Sequence, residues 1–202
     1  ALEQLKNKNI AQTQKVLKTL GEKFEEQAAI LCFMGLLAFA RNQKTTGLKF
    51  IQNTLLAPDA TYEIICLAGN LLLDKGDPNI AIDAFNKAIK IASFRAQAYL
   101  SKGKALSLLR DVSGAIDNFK KATFLEPNLT DAHAALGEEF LAANMANAAS
   151  ESFDIALGLE PKNKIAKRGR ANVLTQILPQ WHTMMLNDEY RNSTIELAIK
   201  EA

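Results

Sequence analysis

The residues able to do chemistry in this chain are few and far apart. Two cysteines, Cys32 and Cys66, and two histidines, His133 and His182, are its only thiol and imidazole donors for a metal. A zinc site needs three or four such ligands close together, and these four form no cluster with metal spacing, so no metal is expected. No Ser-His-Asp arrangement or pair of catalytic acids can be placed, and no G-x-G-x-x-G loop offers its backbone to a phosphate. The chain by itself is therefore expected to catalyse nothing and to hold no cofactor.

Cys32 and Cys66 stand 34 residues apart, and that interval recurs along the chain. Four of the ten glycines, Gly35, Gly69, Gly103 and Gly137, keep the same step. Glycine is a minor component here, so three further coincidences have odds on the order of one in ten thousand. Other columns follow: Gly47, Ala81, Ala115 and Ala149; Ile51, Phe85, Phe119 and Phe153; Thr54, Ala88, Ala122 and Ala156; Asp59, Ser93, Pro127 and Pro161. Small residues at such positions let two helix backbones approach, and the Phe or Ile fills the space between one helix pair and the next.

Periodicity within a unit predicts two antiparallel helices. Ile80, Phe85, Ala88 and Ile89 line one face at helical spacing. The turn Asp74-Lys75-Gly76-Asp77-Pro78 separates a first helix, about Tyr62 to Leu73, from a second, about Asn79 to Ala92. Pro127 and Pro161 stop later second helices, because proline disfavours helix at the preceding residue. No strand-like alternation competes.

These columns resemble the tetratricopeptide repeat, with Gly in the first helix and Ala, Phe, Ala and Pro in the second. The resemblance covers residues 28–163 as four units, 28–61, 62–95, 96–129 and 130–163. The unit at 28–61 departs most, with Gly47 and Thr54 for Ala and no proline. Residues 1–27 are expected to hold a worn or truncated unit, since Thr13, Leu17 and Leu20 fall in its columns. Residues 164–178 read as one more first helix, with Ala171 in the small-residue column. The resemblance implies an all-α fold, a right-handed superhelical solenoid of antiparallel helix pairs.

It also implies a protein or peptide ligand lying along a concave face lined by first helices. By register that face holds Ala29, Cys32, Leu36 and Phe39, then Glu63, Cys66, Asn70 and Asp74. Gln97, Leu100, Lys104 and Ser107 follow, and then Asp131, Ala134, Glu138 and Leu141. Four acids against one lysine, after an apolar opening, would complement a peptide with basic side chains and one apolar anchor. Chaperone-binding members of the family clamp a C-terminal carboxylate with Lys, Asn and Arg at fixed positions. Only Asn70 matches; Cys66, Ser101, Asp131 and Ala135 occupy the others, so carboxylate-clamp chaperone binding is not expected.

Charge and hydropathy exclude other partners. The formal net charge is +2, so no field draws the whole surface to nucleic acid. The local run Lys162, Lys164, Lys167, Arg168 and Arg170 has no interleaved aromatics to stack bases, and nucleic acid is not expected. Residues 28–40 (AAILCFMGLLAFA) carry no charge, but a membrane span needs about 20 residues, so a buried first helix is expected and no membrane. Equivalent positions on stacked helices lie about 10 Å apart, beyond the roughly 7 Å reach of a disulfide. Cys32 and Cys66 should thus be free thiols, which fits a reducing, cytoplasmic location.

After residue 178 the register stops at Pro179, and residues 179–202 read as a linker and a new helix. His182-x-x-Met185-Leu186-x-Asp188-x-x-Arg191, then Ala198-Ile199, resembles the helix preceding the S-adenosylmethionine domain of protein arginine methyltransferases. The resemblance implies cofactor-binding roles for His182, Met185 and Arg191, the arginine pairing with the cofactor carboxylate. The tyrosine-rich motif usual upstream is absent, with Asn172 and Gln176 near its place. The chain lacks an initiating Met and ends at Ala202 before any glycine-rich cofactor loop. It is expected to be the recruiting part of such an enzyme, with S-adenosylmethionine bound only where the methyltransferase domain follows. The alternatives are a stand-alone adaptor or scaffold, and the repeat array of another transferase acting on proteins, such as a glycosyltransferase.

Overall fold

The computed structural model describes residues 27–75 and 77–177. Among them every regular element is an α-helix, as the sequence predicts: α1 Gln27–Ala40, α2 Lys44–Leu56, α3 Tyr62–Lys75, α4 Pro78–Ile91, α5 Ala96–Leu108, α6 Val112–Leu125, α7 Thr130–Ala142, α8 Ala146–Leu159 and α9 Lys164–Ile177. The expectations for residues 1–26 and 178–202, including the tail motif, lie outside the described residues. The helices fall into two compact units that divide after Pro127.

In the first unit, α1 with α2, α3 with α4 and α5 with α6 form the most intimate pairs, and α2 and α4 each pack on the first helix that follows. The second helices show why these sequences are helical. In α4, Asp77 caps the N-terminus by accepting from the Ile80 N–H at 3.2 Å, and Pro78 takes a position where no N–H is needed. Ala81, Ala84, Phe85 and Ala88 then bury one stripe. In α6, Asp111 caps Gly114 at 3.0 Å, and Ala115, Phe119 and Ala122 form the matching stripe. Thr54 replaces alanine in the α2 stripe, fully buried, and its hydroxyl donates to the Phe50 carbonyl at 3.0 Å.

The glycine ruler and the phenylalanine column meet. A Cβ placed on Gly103 would lie 2.5 Å from Phe119 Cε1, and one on Gly69 would lie 2.6 Å from Phe85 Cε1. Glycine is therefore present because an aromatic ring from the second helix packs directly against the first. Full burial of each such ring stabilises by about 2–3 kcal/mol, and Phe85 and Phe119 are at most 1% exposed.

The turns within pairs share a second ruler. Asn42, Arg110 and Asn144 all adopt positive φ, at 60°, 63° and 58°, and Gly76 stands in the same 34-residue column. Asn42, Arg110 and Asn144 each end a first helix in a Schellman motif. For Asn42, the Gln43 N–H donates to Ala38 O and the Asn42 N–H to Phe39 O, both at 2.9 Å. Asp111 to Leu106 O and Met145 to Phe140 O repeat the long bond.

The second unit repeats the design. Here α7 pairs with α8, and α9 packs on both. Phe153 is fully buried and faces Gly137 and also Gly169, where an added Cβ would lie within 3 Å of its ring. Asn163 caps α9 by accepting from the Ala166 N–H at 3.0 Å. Ala171, expected in the buried small-residue column, is exposed. In the preceding units that column faces the second helix of the same pair, whereas on α9 it is Gly169 that a ring reaches, that of Phe153 from the preceding pair.

Candidate functional site

Within the first unit, α1 touches α3 and α3 touches α5, while no two successive second helices come into comparable contact. The first helices thus form a continuous layer. Its accessible face on α3 is the stripe Glu63, Leu67, Asn70 and Asp74, all exposed, at helical spacing. On α5 the exposed residues are Gln97, Lys104 and Leu108.

This corrects part of the expected surface. Cys32 and Cys66 do not face a groove: they are 2% and 8% exposed and lie inside the core. Cys32 packs with Ile51, Ala68 and Leu72; Cys66 packs with Tyr62, Ile65 and Ala98. Burial pushes the Cys32 thiol up to about 11 and raises that of Cys66, so neither is a ready nucleophile. Leu100 and Ala134, in the same column, are buried as well. Phe39 packs on the core, its ring lying against Gly47, and Leu36 is half-buried, so the apolar opening is largely consumed by folding.

The reason is a shift of one residue along the helix. Cys66 stands at i+3 from Glu63, but the outward stripe continues at i+4, where Leu67 is 46% exposed. A signal for this exists in the sequence. Column 32, 66, 100, 134 reads Cys, Cys, Leu, Ala, apolar in every unit as a core position must be; the next column, 33, 67, 101, 135, reads Phe, Leu, Ser, Ala and is mixed in exposure too, Leu67 being exposed and Ser101 buried.

Charges on this face are partly paired. Arg95 reaches Glu63 at 2.5 Å and stacks over the Tyr62 ring at 4.5 Å. Glu63 is held below the usual carboxylate range by its own backbone N–H and by the Arg95 guanidinium. Asp74 has Lys75 at 3.2 Å. Asn70 and Lys104 are exposed. Of the carboxylate-clamp positions, Cys66 and Ser101 lie in the interior, at 8% and 3% exposure.

In the second unit, Asp131 is exposed and Glu138 is half-buried, accepting from Arg168 at 2.9 Å. Arg170 pairs with Asp154 at 2.7 Å. Two members of the basic run therefore tie α9 to α7 and α8, and Lys162, Lys164 and Lys167 remain exposed. Among the described residues no group of His, Cys, Asp and Glu is placed to hold a metal, and no helix is long and apolar enough to cross a membrane. His182, Met185 and Arg191 lie outside the described residues.

Comparison with known proteins agrees with this fold. Residues 66–129 match the family described as Tetratricopeptide repeat. The "Small glutamine-rich tetratricopeptide repeat-containing protein 2" of Mycosarcoma maydis is 26% identical over 112 residues, 55% of this chain and 32% of that protein. The chain thus spans about a third of the length of this relative. Among solved structures, "YrrB: a TPR protein with an unusual peptide-binding site" is similar with a TM-score of 0.67 at 15% identity, covering 83% of this chain and 87% of the other. The "First TPR of Spaghetti (RPAP3) bound to HSP90 peptide SRMEEVD" has a TM-score of 0.57 at 20% identity, covering 58% and 93%.

Proposed function

We propose that this chain, in which residues 66–129 are tetratricopeptide repeats, is a protein-interaction module that captures a peptide segment of another protein on its first helices. The observation that carries this reading is the accessible stripe Glu63, Leu67, Asn70 and Asp74 on α3 beside Gln97 and Lys104 on α5. Leu67 supplies an apolar seat. The Asn70 amide offers a donor and an acceptor together, matching one peptide unit of an extended ligand. Asp74 favours a basic side chain, and a ligand cation at Glu63 has to displace Arg95. Structural neighbours described as peptide-binding support the general mode. Cys66 and Ser101 lack the cationic and amide groups of a carboxylate clamp, so the ligand is an internal segment rather than a C-terminal carboxylate.

The module's larger setting is the finer part of the proposal. The spacing of His182, Met185 and Arg191 supports attachment to an S-adenosylmethionine-dependent protein arginine methyltransferase, and the free thiols of Cys32 and Cys66 favour a reducing, cytoplasmic setting. The repeats would raise the local concentration of substrate protein at that enzyme. Phage display of random peptides against the 202-residue chain, followed by calorimetry, tests the binding mode. Leu67→Ser and Asn70→Ala are expected to weaken the selected peptides about 10-fold or more; unchanged affinity in both would remove the proposal. The setting is tested separately by S-adenosylmethionine binding to the full-length parent and its loss in Arg191→Ala. A parent that binds no cofactor leaves the adaptor reading.

A further inference from the structure

In the first unit the antiparallel pairing puts the end of each second helix at the same edge as the start of the next first helix. There α4 runs out through Ile91, the loop before α5 carries Phe94, and the α5–α6 hairpin brings the last turn of α6, with Phe124, to the same edge. None of the three enters a core: Phe94 is 73% exposed, Phe124 76% and Ile91 51%. A phenylalanine offers roughly 200 Å², so together they leave about 400 Å² of apolar surface in water, the size of the largest apolar patch on a typical monomer, which is often functional. The repeat does not require them. The column of Phe94 otherwise holds Ala60, Asn128 and Lys162, and that of Phe124 holds Leu56, Lys90 and Gly158.

Charge around the patch is predominantly positive. The exposed ionisable residues within 90–95 and 120–126 are Lys90, Arg95, Lys120 and Lys121 against Glu126 alone. Arg95 is engaged by Glu63. The Lys121 ammonium lies 5.2 Å from the centroid of the Phe124 ring, so positive charge sits on the apolar surface itself.

We infer that this edge docks an acidic amphipathic segment of a partner protein, its apolar side chains seated on Phe94 and Phe124 and its carboxylates facing Lys90 and Lys121. A second copy of the chain fits poorly, since a two-fold contact would set these cations against themselves. Nucleic acid requires a longer basic track than one helix end supplies. The site shares no residue with the first-helix stripe, so either can fail without the other.

The test uses the ¹⁵N-labelled 202-residue chain and a synthetic helical peptide of about 15 residues, with Leu at i and i+4 flanked by Glu. Amides of residues 90–95 and 120–126 should shift on titration. Phe94→Ser/Phe124→Ser should abolish binding, Lys90→Glu/Lys121→Glu should weaken it about 10-fold, and Asn70→Ala should leave it unchanged. Thermal melts of the variants should match the parent, because all four side chains are exposed. Absence of binding, shifts elsewhere, or equal binding of the peptide with Lys in place of Glu overturns the inference. So does self-association abolished by the Phe94→Ser/Phe124→Ser variant, or tighter binding of oligothymidylate or anionic lipid vesicles through the same residues.

Discussion

Replacing Gly103 by alanine is the sharpest perturbation of the packing that sets the repeat. The new Cβ would stand 2.5, 2.6 and 3.0 Å from Phe119 Cε1, Cδ1 and Cζ, and Phe119 is 1% exposed, so the ring has no solvent into which to retreat. Overpacking of this kind costs about 1–3 kcal/mol, and three close ring atoms place it in the upper half of that range. Alanine recovers about 1 kcal/mol of helix propensity. The net expectation is a loss of about 1–2 kcal/mol. Gly158, in α8, has nothing within 4 Å of its would-be Cβ, so Gly158→Ala should instead gain a few tenths to about 1 kcal/mol. Urea denaturation followed by far-UV circular dichroism reads both, with m-values checked for constancy. The double variant Gly103→Ala/Phe119→Leu should lose about 1–2 kcal/mol less than the sum of its parts, since leucine vacates the space the methyl needs. A Gly103→Ala protein that gains stability, or strict additivity in the double variant, would refute the claim that the ring dictates the glycine.

Arg110 holds φ 63° where the same column carries Asn42, Gly76 and Asn144; Arg110→Gly should stabilise by about 1 kcal/mol in a urea melt, and Arg110→Val should destabilise. Met145 stands at the N-cap of α8 without a side-chain bond, in the column of Asp77 and Asp111; Met145→Asp should gain about 1 kcal/mol, and Asp111→Ala should lose as much. The Cys32 thiol is raised by burial from 9.0 to about 11, so the folded state holds its proton more tightly than the unfolded one. Stability from this source is full below about pH 9 and falls as pH rises through about 11, and the alkaline slope should flatten in Cys32→Ala. For the same reason Cys32 should react with a disulfide reagent at pH 8 only after denaturant is added.

Much of this architecture was legible from spacing alone. Gly35 to Gly137 and Ile51 to Phe153 marked the two faces that meet, because a contact that must be rebuilt in every unit restricts the same column each time. The turn from Asp74 to Pro78 also located α3 and α4 within two residues of their ends. The accessible face was less legible. Its positions are defined by freedom rather than constraint, so their columns are mixed, and a shift from i+3 to i+4 exchanges buried Cys66 for exposed Leu67. The Schellman column was missed because Arg110 is not a residue that announces a left-handed conformation, whereas Gly76 is. Pairing hid itself for another reason: Arg95 lies 32 residues from Glu63, and only the stacking of α5 on α3 and α4 brings them together.

The most direct measurement of the central claim is the ¹⁵N–¹H map of the chain titrated with a peptide selected by display. Capture on the first helices predicts the largest shifts around residues 63–74 of α3 and 97–104 of α5, lost in Asn70→Ala. Shifts confined to the second helices α4 and α6, or a map unchanged by Asn70→Ala, would contradict it.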